Sequence, residues 1–125
     1  MITIDYRSRT PIYEQLVDRI RTLALGGVYA PGEKIPSVRQ LSGDLGINPN
    51  TVQRAYNTLY QQGVIDTAPG KGNFISADVE GLRLQQRKAL LEELAHAARA
   101  LKQAGVPVDQ TLDRARKAYE EEEAQ

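Results

Sequence analysis

Ile47-Asn48-Pro49-Asn50-Thr51-Val52-Gln53-Arg54-Ala55-Tyr56-Asn57-Thr58-Leu59 is the stretch on which the reading of this chain turns. Asn48 is suited to accept hydrogen bonds from the free amides of a first helical turn. Pro49 fits the first helical position, where its missing N–H leaves nothing unpaired. A helix is therefore expected to start sharply here. At about 100° per residue, Val52, Ala55, Tyr56 and Leu59 fall on one side, and Asn50, Gln53, Arg54 and Asn57 point away from it. The first side is core. The second carries amides and a guanidinium, with the Thr51 hydroxyl at its edge, and these are groups that read base edges in a DNA major groove. Alone, such a face is more often a plain solvated surface, so the flanking sequence has to decide.

Ten residues upstream, Ser37-Val38-Arg39-Gln40 is a capping box in which Ser37 and Gln40 can satisfy each other's backbone amides. It opens a second helix with Val38, Leu41 and Leu45 inside and Gly46 as its stop. Only Gly46, Ile47 and Asn48 separate the two helices, which is helix-turn-helix spacing. Further back, Tyr29 to Pro36 is turn chemistry with a short extended piece around Lys34-Ile35. Before it, Thr10-Pro11 opens a third helix whose Ile12, Leu16, Ile20 and Leu23 recur at helical spacing, widened by Tyr13 and Val17, and which ends at Gly26-Gly27. Residues 1–9, with Arg7 and Arg9, read as an extended arm.

Downstream, Gly63 ends the opening helix and Val64 to Ala68 reads as a strand. Pro69-Gly70-Lys71-Gly72-Asn73 is a turn, and Phe74-Ile75 begins the return strand. The result is a β-hairpin with a basic, glycine-rich tip. In a winged helix such a tip lies along a minor groove or the phosphates, where Lys71 supplies charge and Gly70 and Gly72 allow close approach. The plainer alternative is a solvated turn that touches nothing.

From Leu82 to Ala104 the pattern is one amphipathic helix. Leu84, Leu91 and Ala98 recur every seven residues, Leu94 and Leu101 interleave, and Arg87 interrupts the seam, so a long coiled coil is not expected. Gly105-Val106-Pro107 breaks the chain before a last helix with Leu112, Ala115 and Tyr119 on one face. The two form a helical hairpin whose apolar face has no third element to cover it. It must pack on the first domain or on a second copy. The second copy is favoured, because symmetric dimers are the commonest closed assembly and helix-turn-helix proteins read paired half-sites.

Composition agrees with one small domain, residues 1–77, and an extension, residues 78–125, too thin for a core of its own. Net charge is zero, but residues 1–77 hold eight Lys/Arg against six Asp/Glu and residues 78–125 hold eight against ten. A locally basic face is compatible with that split. There are no cysteines, which removes disulfides, thiol nucleophiles and zinc ribbons. With no span-length apolar run and no signal-like start, the chain is expected to stay in the cytoplasm and off the membrane.

Four ordered blocks now carry a resemblance: Pro11-Ile12-Tyr13-Glu14-Gln15-Leu16, Pro31 to Leu41, Asn48-Pro49-Asn50-Thr51-Val52, and Gly70-Lys71-Gly72-Asn73-Phe74. Over about residues 3–76 the chain resembles the DNA-binding domain of GntR-family bacterial transcription regulators. Its short helical tail resembles the YtrA-like subfamily, in which a two-helix extension serves dimerisation. The resemblance implies a mainly α fold with a small β-hairpin, a winged helix-turn-helix followed by that extension, and a dimeric repressor. Carried over at matching positions, Arg39 is a phosphate contact that also reaches toward a guanine, and Ser37 heads the same helix. Asn50 and Thr51 match base- and backbone-contacting positions, and Gly70 and Gly72 match the wing. Pro49 and Gln53 stand where arginines often sit, and Gln53 suits adenine N6/N7 rather than guanine. Arg54 serves either a phosphate or an internal acidic partner.

The leading expectation is a sequence-specific, dimeric DNA-binding regulator. It reads a partly palindromic operator through residues 50–54 of each subunit and dimerises through Leu84, Leu91, Leu94, Ala98, Leu101, Leu112 and Tyr119. The alternative is a winged-helix protein-interaction module without direct DNA readout, which would call for an apolar outer face on the opening helix. An enzyme has little support: His96 is the only histidine, and no acidic or cysteine ligand pair stands at metal spacing. No cofactor is expected, and no small-molecule effector is identifiable.

Overall fold

Ser37 Oγ accepts the amide of Gln40 at 3.0 Å and so starts the helix Val38–Leu45, called α2, as the capping box predicts. The helix stops at Gly46, whose φ of 66° is left-handed backbone that an L side chain resists. The turn is held from inside. Ser42, the buried polar residue among the described ones, donates its hydroxyl to the carbonyl of Ile47 at 2.5 Å. Asn48 Oδ1 then accepts the Asn50 amide at 2.8 Å, and with Pro49 in the first turn the helix Pro49–Gln61, α3, begins. The computed structural model describes residues 2–123.

Val52, Ala55, Tyr56 and Leu59 of α3 are buried, as their spacing predicts. They join a single core with Leu16, Val17, Ile20 and Leu23 of the helix Ile12–Leu25, α1, and with Leu41 of α2. Three helices are thus fixed by one apolar cluster, so the angle of α3 is set by packing rather than by its own turns.

Tyr56 adds a directional restraint. Its hydroxyl donates to the Pro36 carbonyl at 2.6 Å, tying α3 to the residue that precedes the α2 cap. Burial first, and the charge of Tyr29 second, push the Tyr56 phenol well above the usual tyrosine range. A raised value favours the neutral phenol in the folded state. That contribution is complete below about pH 10 and is lost as pH climbs beyond it. Tyr56→Phe is expected to cost about 1 kcal/mol at neutral pH, and the variant should lose less stability than the parent between about pH 9 and pH 11. Urea titrations of both proteins across that range check this, and parallel losses would contradict it.

The β-structure exceeds the expected hairpin. Strands Lys34–Ile35 (β1), Ile65–Ala68 (β2) and Gly72–Ile75 (β3) form an antiparallel sheet in the order β1-β3-β2. Ile65 pairs with Ile75 and Ala68 with Gly72, while Lys34 pairs with Phe74 on the other side of β3. The return strand begins at Gly72, two residues before Phe74, because Gly72 and Asn73 pair with Ala68 and Thr67 of β2.

The N-terminal segment is not the extended arm read from sequence. The Gln15 side chain receives the Asp5 amide at 2.8 Å and donates to the carbonyls of Asp5 and Thr10 at 3.0 and 2.9 Å, folding the segment onto α1. Ile2 and Ile4 add apolar contact with the core.

The chain divides into two compact units, Met1–Leu84 and Gln85–Gln125. The fourth helix, Val79–Gln103 (α4), starts three residues before Leu82, with Val79 fully buried and Leu82 packed on the core. Arg83 Nε donates to the Leu25 carbonyl, which binds that first turn to the end of α1. In the second unit α4 ends at Gln103, the Gly105 amide caps it on the Lys102 carbonyl, and the last helix, Val108–Glu123 (α5), follows. Among the described residues of this unit no side chain is buried, and α4 and α5 do not pack along their lengths as a closed hairpin would. Its apolar groups face outward.

Candidate nucleic-acid interface

The buried stripe of α3 dictates what the helix shows to solvent. Asn50, Gln53, Arg54 and Asn57 are exposed and Thr51 is half-buried at the border. Gln53 Nε2 donates to Asn57 Oδ1 at 2.8 Å, one helical turn on. This bond leaves the Gln53 carbonyl and the Asn57 amino group for other partners, an acceptor and a donor of the kinds that an adenine major-groove edge pairs with.

Arg54 does not turn inward to an acidic partner. Among the described residues it has no acidic partner, and its guanidinium carbon lies 3.7 Å from the centre of the Tyr13 ring. Tyr13 in turn is held on α1, half-buried against the core.

Ser37 and Arg39 stand exposed at the start of α2. The wing tip has Gly70 and Lys71 exposed and Gly72 half-buried. Gly72 is required by its backbone, whose φ is 124°; a Cβ there would also meet Lys34 Cε at 2.9 Å, a contact the flexible lysine can relieve. The Lys34 side chain thus crosses β3 beside Lys71's turn and adds a second cation to the wing. Sequence reading missed Lys34, because its place follows from the β1–β3 pairing across some forty residues of chain. Thr67 Oγ1 and Asn73 Oδ1 are bonded at 2.7 Å across the hairpin, facing a cleft shared with Gln53, Asn57 and Tyr60 of α3. Tyr60, 57% exposed, is likewise a residue the sequence reading did not single out. Recognition face, α2 start and wing all belong to the first unit.

The residues assigned to dimerisation are not brought into a core. Leu84, Leu91, Leu94, Leu101, Leu112 and Tyr119 are exposed by 36% to 80%, and Ala98 is half-buried. Leu84 closes the first unit and the others belong to the second. Among the described residues no helix is long and apolar enough to cross a membrane.

Residues 12–75 match the family described as bacterial regulatory proteins, gntR family. The chain is 42% identical over 93 residues to the HTH-type transcriptional repressor YtrA of Bacillus subtilis (strain 168), covering 74% of this chain and 72% of that protein. The crystal structure of a transcriptional regulator from Oenococcus oeni superposes with a TM-score of 0.75 at 32% identity, over 95% of this chain and 99% of that one. The DNA-binding domain of AraR, solved in complex with operator ORX1, superposes with a TM-score of 0.53 at 26% identity, over 59% of this chain and 92% of that one. The chain belongs to the GntR family of bacterial regulatory proteins and is a DNA-binding transcription regulator rather than an enzyme.

Proposed function

We propose that this regulator is a homodimeric repressor that acts in the bacterial cytoplasm on a partly palindromic operator. The observation that carries the reading is the two-sided α3 helix, fully buried on one face and lined with amides on the other. A helix built for protein docking would show apolar groups there. In the proposed complex α3 enters the major groove, Asn50 and Gln53 read base edges, and Thr51 and Arg39 contact the backbone. Gly70, Lys71 and Gly72, with Lys34 beside them, follow the phosphates or the adjacent minor groove. The exposed leucines of α4 and the outer face of α5 join two copies, so half-sites lie about one helical turn or a multiple of it apart. Similarity to a protein described as a repressor supports the direction of control.

Selection of bound sites from random DNA, followed by light scattering on the complex, tests the site and the stoichiometry together. Affinity for the selected site should fall steeply with salt. Asn50→Ala and Gln53→Ala should each lower the preference for the selected site over scrambled DNA by about tenfold, with non-specific binding largely kept. Equal binding of the unaltered protein to selected and scrambled DNA would sink sequence-specific readout and leave the protein-interaction alternative standing.

A further inference from the structure

We propose that Tyr13, which lies on α1 outside the helix-turn-helix, is a positioning residue that makes Arg54 a sequence-independent phosphate clamp. The inference rests on the DNA-binding reading above and deepens it. A guanidinium 3.7 Å above a ring centre is in cation–π contact with that ring. The contact occupies the face of the guanidinium, whereas its N–H donors project from the edge, and those donors fit phosphate oxygens in pairs. Among the described residues no carboxylate competes for them. Stacking therefore orients Arg54 without consuming its hydrogen-bonding capacity.

The direction of the stack separates Arg54 from its neighbours on α3. It draws the side chain across to α1, where Pro11, Ile12 and Tyr13 form an open cleft with Asn50, Thr51 and Arg54. Gln53 lies outside that cleft, whereas Arg54 is held to the helix's flank. In a helix lying in the major groove, the flank faces a sugar–phosphate strand and the outer face meets the bases. Tyr13 can hold this place because its ring is itself packed against the core.

The test is the salt dependence of binding to the selected site and to scrambled DNA, measured by fluorescence anisotropy for the full chain and four variants. One phosphate contact contributes about 0.9 to the slope of log affinity against log salt, so the two Arg54 side chains of a bound dimer contribute about 1.8. Arg54→Ala should lower the slope by about that amount and weaken selected and scrambled DNA alike, by roughly tenfold at low salt. Tyr13→Ala should lower the slope equally, Tyr13→Phe should keep it, and adding Tyr13→Ala to Arg54→Ala should change it no further. Arg54→Ala leaves Tyr13 packed on the core, so this readout does not depend on the fate of the ring. An unchanged slope in Arg54→Ala overturns the proposal, as does a selective loss on the selected site, which would make Arg54 a base reader. A Tyr13→Ala slope equal to the parent's, or a Tyr13→Phe slope equal to that of Tyr13→Ala, overturns the positioning role. If the unaltered protein shows no salt-dependent binding, the DNA reading fails first, and the two failures remain distinct.

Discussion

Leu91→Glu combined with Leu94→Glu is expected to turn the proposed dimer into a monomer and to lower operator affinity by about 10²- to 10⁴-fold, the avidity lost when two linked half-site contacts become one. Both leucines lie on α4 with more than half of their surface exposed, 65% and 54%. Exposed leucines recurring along one helix suit the proposed interface between copies. Glutamate is a good helix former, so the substitutions should leave α4 helical while placing two like charges where apolar contact is needed. Light scattering at micromolar protein reads the assembly state, and anisotropy reads the affinity. A parent protein that is monomeric at that concentration, or a double variant that stays dimeric, would remove these leucines from the interface.

Leu59→Ala should destabilise the first unit by about 3 kcal/mol, through lost burial and the cavity that remains. Leu59 is 0% exposed and packs in the cluster where α3 meets α1 and the sheet. Small domains are stable by only about 5–15 kcal/mol, so this single change removes a large share of the margin. It also loosens the recognition helix, and DNA binding should weaken together with stability. The contrasting substitution is Leu112→Ala on α5, 56% exposed, for which unfolding of the first unit should move by less than about 0.5 kcal/mol. Urea denaturation followed by circular dichroism distinguishes them, and a Leu59→Ala midpoint matching the parent's would show that the cluster relaxes to fill the space.

Much of the recognition face was legible because the rules that govern it act over a few residues. Asn48 and Pro49 start α3, Ser37 starts α2 and Gly46 ends it through bonds that span at most four positions. Helical periodicity alone then sorts Val52, Ala55, Tyr56 and Leu59 from Asn50, Gln53, Arg54 and Asn57. The clamp of Gln15 on Asp5 and Thr10 was not legible, since glutamine at that position fits a solvated helix face equally well. Nor was Ser42, whose hydroxyl matters only once the turn brings Ile47 back over it.

By itself, then, the sequence determined the three helices, the wing hairpin and the polar face of α3. Only the tertiary structure decided that β1 completes the sheet, that Val79 and Leu82 belong to the first core, that Lys34 crosses Gly72, and that Arg54 rests on Tyr13. The physical reason is range. Caps, turns and amphipathic stripes are set by bonds and sterics between near neighbours, whereas each of these four features joins groups far apart in the chain, and their meeting is settled by how the whole core closes.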